Sequence, residues 1–441
     1  MTTASAPAPK PRLASLDQFR GYTVAGMFLV NFLSGFVAAP FVCHHHNTYC
    51  SYADTIMPQF FFAVGFSMRL SFGRRVMQQG ALAAYGHMVK RLIGLALVAI
   101  FITYSTDPPW PKDTKHHWDV LVSIGAWKAV WPHAIKNAWF QTLMHIAVTS
   151  LWILPVIRLG AIWRVLYLVV SAALHLGLSG VFNFQWVNGL PPFEATGTGI
   201  DGGPLGFLSW SIPTLVGTLA CDVALNQALS GAGKVIRLFG WGALLMALGY
   251  GASCMTRMYD VPERSVDVGS LRFSRTPVIP THDQVETWWD NLKHRHWSKV
   301  LAEPPLVPTP HSQEEIKDEE RKHDDKTEDR SYDYREWNYW MMSQRSGSIS
   351  YLTFGAGLSM ALYGLFYVLS DLIGLKIGIF RTLGVNALAG YILHDMVGDA
   401  VKKFVPKDAP SIAMWIGFFV FFFVTWLFLR SLEKQKIYIK L

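Results

Sequence analysis

The chain is poor in charge. Asp, Glu, Lys and Arg supply 16% of its 441 residues, against roughly 25% in soluble domains, while hydrophobic residues make up 51% and aromatic ones 14%. That deficit excludes an ordinary soluble protein and points to a membrane protein. Cysteine is scarce as well, at four residues, and their spacing matches no standard zinc signature. No internal repeat is visible. The net charge of +8 is scattered over short loops and forms no basic stripe, so nucleic acid is not an expected partner.

Long apolar runs are plentiful. About ten of them approach the roughly 20 residues needed to cross about 30 Å of hydrocarbon. They cover residues 22–41, 53–70, 92–104, 139–157, 162–182, 207–225, 238–254, 349–369, 379–397 and 412–429. The expected fold class is therefore all-α and polytopic, a bundle of about ten transmembrane helices. Placing the N-terminus in the cytoplasm puts Arg20, Arg69, Arg74, Arg75, Lys90, Arg91, Arg158, Arg164, Lys234, Arg237 and Lys376 in inside segments, which obeys the positive-inside rule and makes both termini cytoplasmic. One outside loop has Glu194 and Asp201 with no Lys or Arg, whereas Lys402, Lys403 and Lys407 run against the pattern. The first run is longer than a signal-peptide core of about 7 to 15 residues, which favours an uncleaved span. The protein is expected in a cytoplasmic membrane, plasma or inner.

Residues 1–12 read as a disordered cytoplasmic tail rich in Ala and Pro. Spans one to seven form a core over 13–254, and spans eight to ten continue it over 349–441. Between them lies an extracytoplasmic insertion, 255–348. It holds an amphipathic helix pattern in "VETWWDNLKHRHWSKVL", the Pro-rich "EPPLVPTP" and the charge run "EEIKDEERKHDDKTEDR". The insertion reads as an external decoration or as a lid or substrate platform. Cys221 reads as a small buried hydrophobe.

Chemistry-bearing residues gather near the outer ends of the first two spans. In "FVCHHHNTYCSYAD" three histidines stand between Cys43 and Cys50, on the face where an oxidising compartment would allow a disulfide. Cys43, His44, His46 and Cys50 also give a four-ligand count for zinc, but adjacent side chains seldom converge on one ion, so no metal is expected. Asp54 is placed either to orient an imidazole or to sit as an anion at a helix N-terminus. Asn31 is an amide at membrane depth, which calls for a partner in the bundle. Asp17 and Arg20 share a helix face, and Gly21 permits close backbone approach.

The strings "SLDQFRG…VN…H…YADTIMPQFFFAVGFSM", "KRLIGLAL", "GIDGGPLGFLSWSIPTLVG", "SYLTFGAGLSMALYGLFYVLSD" and "LGVNALAGYILHD" occur in order along nearly the whole chain. Together they resemble the heparan-alpha-glucosaminide N-acetyltransferase family, multi-span enzymes that carry an acetyl group from cytosolic acetyl-CoA to a sugar amine across the membrane. The resemblance implies a catalytic histidine ten residues before Asp54, at His44, with Asn31 as its partner. A shift of register moves that role to His45 or His46, because "HHHNTYCS" departs from the family pattern. The late motif falls on Gly384, Asn386, Tyr391 and His394, which puts His394 on the same face as His44 and makes Asn386 and Tyr391 substrate-binding candidates.

A histidine with a pKa of about 6.5 can serve as general base toward a thioester or carry a transient acetyl group. An amide or second imidazole can hold the developing oxyanion. Arg20, Arg74, Arg75, Lys90 and Arg91 are candidates for the anionic end of acetyl-CoA, and equally for plain positive-inside anchoring. The function expected is acyl transfer from acetyl-CoA to an amine or hydroxyl of a sugar or glycan. The bilayer is the other partner, and a homo-oligomer is left open. A transporter without covalent chemistry is the alternative, since polar residues at membrane depth also mark substrate paths.

Overall fold

The computed structural model describes residues 13–106, 139, 141–193, 201–261, 265–268, 271–310, 313 and 335–439. The tail 1–12, Glu194 and the charge run from Glu314 lie outside the described residues. Helices dominate, as they must where no water is present to satisfy backbone donors and acceptors. In chain order they are α1 (Ala14–Leu33), α2 (Tyr52–Gln79), α3 (Ala81–Thr106), α4 (Thr142–Ile153), α5 (Ala161–Leu178), α6 (Phe184–Asn188), α7 (Gly206–Leu225), α8 (Gly231–Ser253), α9 (His282–Lys293), α10 (Ile349–Phe366), α11 (Gly378–Val385), α12 (Ala387–Lys402) and α13 (Ser411–Lys434).

Six helical stretches are long and apolar enough to cross a membrane: Ala81–Thr103, Ala161–Asn188, Gly203–Leu225, Gly231–Asp260, Ile349–Leu372 and Ser411–Lys434. Those built on α7 and α10 are largely buried inside the protein, whereas α3, α5 and α8 are not. Their outward Leu97, Phe101, Trp163, Val170, Trp241 and Leu248 are exposed, an apolar surface that suits lipid and not water. Where a single ninth run was expected at 379–397, the chain makes two helices. It breaks at Asn386, whose backbone (φ −118°, ψ 40°) is not helical.

The centre of the bundle is aromatic. Phe19, Phe61, Phe62, Phe66, Trp210, Tyr351 and Tyr363 pack where α1, α2, α7 and α10 meet, with Phe61 stacked on Trp210 at 4.6 Å between ring centroids. A second cluster joins α1 to α12 and α13 through Phe28, Phe32, Phe418 and Phe421. Helix α1 also crosses α11 with no side chain between them: a Cβ on Gly21 would lie 1.8 Å from the Phe380 carbonyl oxygen, and one on Gly384 would lie 2.0 Å from that of Asp17. Such small-residue contacts are how helices approach closely in a bilayer.

Ions also bind the helices together. Asp222 on α7 accepts from Arg69 Nε on α2 at 2.9 Å and pairs with the fully buried Arg164 of α5. Arg164 Nη1 donates to Thr218 Oγ1 at 2.8 Å.

The insertion carries an antiparallel hairpin, β1 (Ser265–Val268) and β2 (Leu271–Ser274), and the amphipathic pattern forms α9. Phe273, Val278, Trp337, Tyr339 and Met341 share a core with Phe184 and Leu190. The stretch around Pro304 lies over the histidine loop, with Tyr49 Oη donating to the Pro304 carbonyl at 2.8 Å and Leu306 N–H donating to the Cys50 carbonyl at 3.0 Å. Cys43 and Cys50 are both free thiols. Each is buried, in a different apolar cluster, so no bridge between them shapes the loop.

Candidate active site

A cavity of about 960 Å³ runs through the bundle beside α1, α2 and α3. Arg20, Arg75, His87, Lys90 and Arg91 line one part of it, and Asn31, His45, Gln344 and Tyr391 line another. Thr23, Ser67, Ser71 and Ser150 also contribute hydroxyls. Arg20 and Asn31 are eleven residues apart on α1, so the cationic and the histidine ends are separated by about 16 Å at 1.5 Å rise per residue.

Asp54 organises the histidine end. Ser51 is the N-cap of α2 and Asp54 is its third residue, an S-x-x-D capping box in which Asp54 Oδ2 accepts from Ser51 N–H at 2.9 Å. The other oxygen, Oδ1, stands 2.8 Å from His45 Nδ1. The buried carboxylate therefore anchors the helix and orients an imidazole at once. Tyr351 Oη fixes the same turn by donating to the Asp54 carbonyl at 2.5 Å.

The three histidines are thereby separated. His45 is 47% exposed and lines the cavity. Burial works against its protonated form, but the hydrogen bond and charge of Asp54, with Asp201 and Gln344 nearby, outweigh it and raise its pKa above the ordinary histidine value. His44, the position implied by ten-residue spacing, is not among the cavity-lining residues; its carbonyl accepts from Ser51 Oγ at 2.7 Å. His46 is buried, stacked on Phe41 at 4.1 Å between ring centroids, with Nε2 3.2 Å from the Phe41 carbonyl oxygen.

Asn31 and His394 meet. Asn31 Nδ2 lies 2.9 Å from His394 Nε2, and His394 Nδ1 lies 2.6 Å from the Tyr391 carbonyl oxygen. A carbonyl only accepts, so Nδ1 carries a proton, while Nε2 stands between Asn31 Nδ2 and Asp395 Oδ1, the latter 3.1 Å away. His394 is 3% exposed and stacks on Phe28; it touches the cavity through Asn31. Tyr391 lines the cavity itself, its hydroxyl accepting from Gln141 Nε2 at 3.0 Å. Asn386 does not line it. Its Nδ2 donates to the Ile437 carbonyl at 3.2 Å and holds the C-terminal segment, whose Ile439 reaches the cavity.

Of the five cationic candidates, Arg20, Arg75, Lys90 and Arg91 line the cavity. Arg74 is exposed and points elsewhere. His87, Gln141, Asp201 and Gln344 were not expected at the site. Asp201 lies within the quoted "GIDGGPLG" motif, whereas nothing in the sequence around Gln344 marks it. The four residues weighed as zinc ligands do not gather. Among the described residues, the one group of His, Cys, Asp or Glu within reach of a single ion is His282, Asp283 and Glu286, all exposed.

Apolar helices of spanning length with exposed outer faces, gathered around an interior cavity, mark an integral multi-pass membrane protein. The family model described as "Heparan-alpha-glucosaminide N-acetyltransferase, catalytic" matches residues 12–250, more than half of the chain. The chain belongs to that family. No match was found among curated proteins.

Proposed function

We propose that this protein moves an acetyl group from cytosolic acetyl-CoA to an amine or hydroxyl of a sugar or glycan on the extracytoplasmic side. The observation that carries the reading is the single cavity lined by both the basic residues and His45. The anionic nucleotide end of acetyl-CoA fits beside Arg20, Arg75, Lys90 and Arg91, and the thioester end then extends along α1 toward His45 and Asn31.

With a sugar amine as acceptor, its nitrogen attacks the thioester carbonyl carbon. A C–N bond forms, the C–S bond breaks, and the sulfur departs as CoA thiolate. His45, through the ring nitrogen that does not face Asp54, takes the amine proton and returns it to the sulfur, which closes the balance. Asp54 supports the imidazolium that forms in between. Asn31 Nδ2 has a second hydrogen for the oxyanion. The geometry favours His45 over His44 as the reacting residue because His45 has both the Asp54 contact and the cavity face.

Ten crossings complete the reading. To the six long apolar stretches are added α1, α2, α4 and the broken pair α11 and α12, an even number that leaves both termini in the cytoplasm, as the Lys and Arg distribution requires. The membrane is a plasma or inner membrane, and the active unit is one chain or a homo-oligomer.

The test uses purified protein and acetyl-labelled acetyl-CoA with amino sugars as acceptors. The label should pass to the acceptor, with His45→Ala inactive and His44→Ala active. Label that stays on intact acetyl-CoA with every glycan acceptor tried sinks the reading. Passage of unmodified substrate across vesicles would instead favour transport.

A further inference from the structure

Among the described residues, one side chain of the 255–348 insertion lines the cavity: Gln344. It is held there by the loop that precedes α7. Gln344 Nε2 donates to Asp201 Oδ1 at 2.9 Å, and the Gly202 N–H donates to the Arg345 carbonyl at 3.0 Å. The two loops also interlock through backbone alone. Gly202 and Gly347 both have left-handed φ, 85° and 57°, and a Cβ on Gly347 would lie 2.6 Å from the Gly202 Cα. No side chain fits between them, so the root of the insertion is fixed against the loop that precedes α7.

Asp201 is an unusual residue to find at such a contact. Its φ of 61° is left-handed, a conformation sparsely adopted by residues other than glycine, and it is buried. The backbone is secured by Trp210 Nε1, which donates to the Asp201 carbonyl at 2.8 Å. A buried carboxylate is costly unless it is paired or hydrogen-bonded, and Gln344 supplies that hydrogen bond. Burial pushes the Asp201 carboxyl pKa up to about 6, with Gln344 and His45 pulling it back. Gln344 and His45 line the same cavity, and with Nε2 on Asp201 the other amide atom, Gln344 Oε1, is buried with no hydrogen-bond partner among the described residues; the charge of Asp201 and the amide of Gln344 both favour the protonated His45 ring.

We propose that Gln344 and Asp201 form a positioning pair for His45, so that the root of the insertion completes the reaction centre. Asp54 fixes the ring through Nδ1, while Gln344, anchored on Asp201, supports it from the insertion. This rests on the acetyl-transfer reading for its chemical purpose: the ring that gains the acceptor's proton is then faced by a second carboxylate through an amide relay. The insertion is in that case part of the catalytic apparatus and not an external decoration.

The test needs no acceptor. Diethyl pyrocarbonate modifies neutral imidazole, so the pH midpoint of His45 modification reports its protonation in the purified full-length protein. Peptide mass spectrometry with fragment ions separates His45 from His44 and His46. Asp201→Asn and Gln344→Ala should each move the midpoint to lower pH by about 0.5 unit or more, and Gln344→Glu should move it upward. Should Asp201→Asn fail to fold, the opposite shifts of the two Gln344 variants decide. Unchanged midpoints in Gln344→Ala and Gln344→Glu overturn the pair, whatever the activity. Shifted midpoints in the variants, together with a wild-type protein that transfers no acetyl group, keep the pair and sink the acetyl-transfer reading. Where transfer is observed, Gln344→Ala should lower kcat and leave KM for acetyl-CoA unchanged.

Discussion

His45 and Asp54 are joined through one carboxylate oxygen at 2.8 Å, while the other oxygen closes the capping box of α2. The histidine is thereby held by an atom that the start of a membrane helix already fixes in place. Orientation of the ring is thus tied to the start of the helix as well as to the loop that carries it.

Asp54→Asn tests this. The amide keeps the shape and one oxygen for the cap but loses the charge that favours the imidazolium. Acetyl transfer should fall by ~10²-fold or more, the usual worth of general acid–base catalysis, with little change in helicity. In the proposed reaction His45 takes a proton only when neutral, and its pKa is raised, so activity should climb with pH through a value above the ordinary histidine pKa. In Asp54→Asn that inflection should move to lower pH. The same sign governs stability: the His45–Asp54 contribution is full below the unfolded pKa of about 6.5 and is lost as pH rises through the raised folded value. A pH–rate profile of both proteins checks the shift.

The cationic lining makes a different demand. Arg20→Ala, Arg75→Ala, Lys90→Ala and Arg91→Ala should raise KM for acetyl-CoA with kcat nearly preserved, because they bind the ground and transition states alike. An effect of ~10-fold each corresponds to one charge-assisted hydrogen bond of about 1.5 kcal/mol. Arg74→Ala, one residue from Arg75 but off the cavity, is the control and should leave KM unchanged. Steady-state kinetics at two salt concentrations separates specific binding from general surface charge.

How far these features could be read from the chain depended on the range of the interaction that defines them. Most spans were legible because apolar runs are local, and "SYAD" carries the capping spacing within four residues. The choice between His44 and His45 was not legible: it turns on one step of backbone in a loop with no periodicity. Arg74 and Arg75 are equally basic, and only the helical direction of their side chains decides which faces the cavity. The break at Asn386 hides inside a run, 379–397, that is apolar enough on average to read as one span. Gln344 carried no signal because its partner lies 143 positions away, a distance that sequence patterns do not span.

Close packing of α1 on α11 gives a stability prediction. Gly21→Ala would set a methyl 1.8 Å from the Phe380 carbonyl oxygen, against backbone and not a yielding side chain. Overpacking of this kind costs about 1–3 kcal/mol. The variant should show a lower thermal unfolding midpoint in detergent, whereas Gly73→Ala, with open space around it, should not.

The ionic cluster offers a sharper one. Asp222→Asn leaves Arg164, wholly buried on α5, with no compensating charge. Asp222 is itself 37% exposed, so water offsets part of the loss and the cost falls below the ~3–5 kcal/mol of a fully buried pair. Chemical denaturation of purified protein should show Asp222→Asn less stable than wild type, and equal stability of the two would show that the cluster does not hold α2, α5 and α7 together.

The relation of Asn31 to His394 calls for a double-mutant cycle. His394 is buried, gives its Nδ1 proton to the Tyr391 carbonyl, and turns Nε2 to Asn31 Nδ2 and Asp395 Oδ1. It therefore acts on substrate through the amide and has no face of its own to present. If so, Asn31→Ala and His394→Ala should each lower kcat, and the double variant should be no slower than Asn31→Ala alone, since the second change removes support from a group already gone. Additive losses in kcat would mean instead that His394 reaches the reacting atoms independently, by a movement that frees it from Asn31.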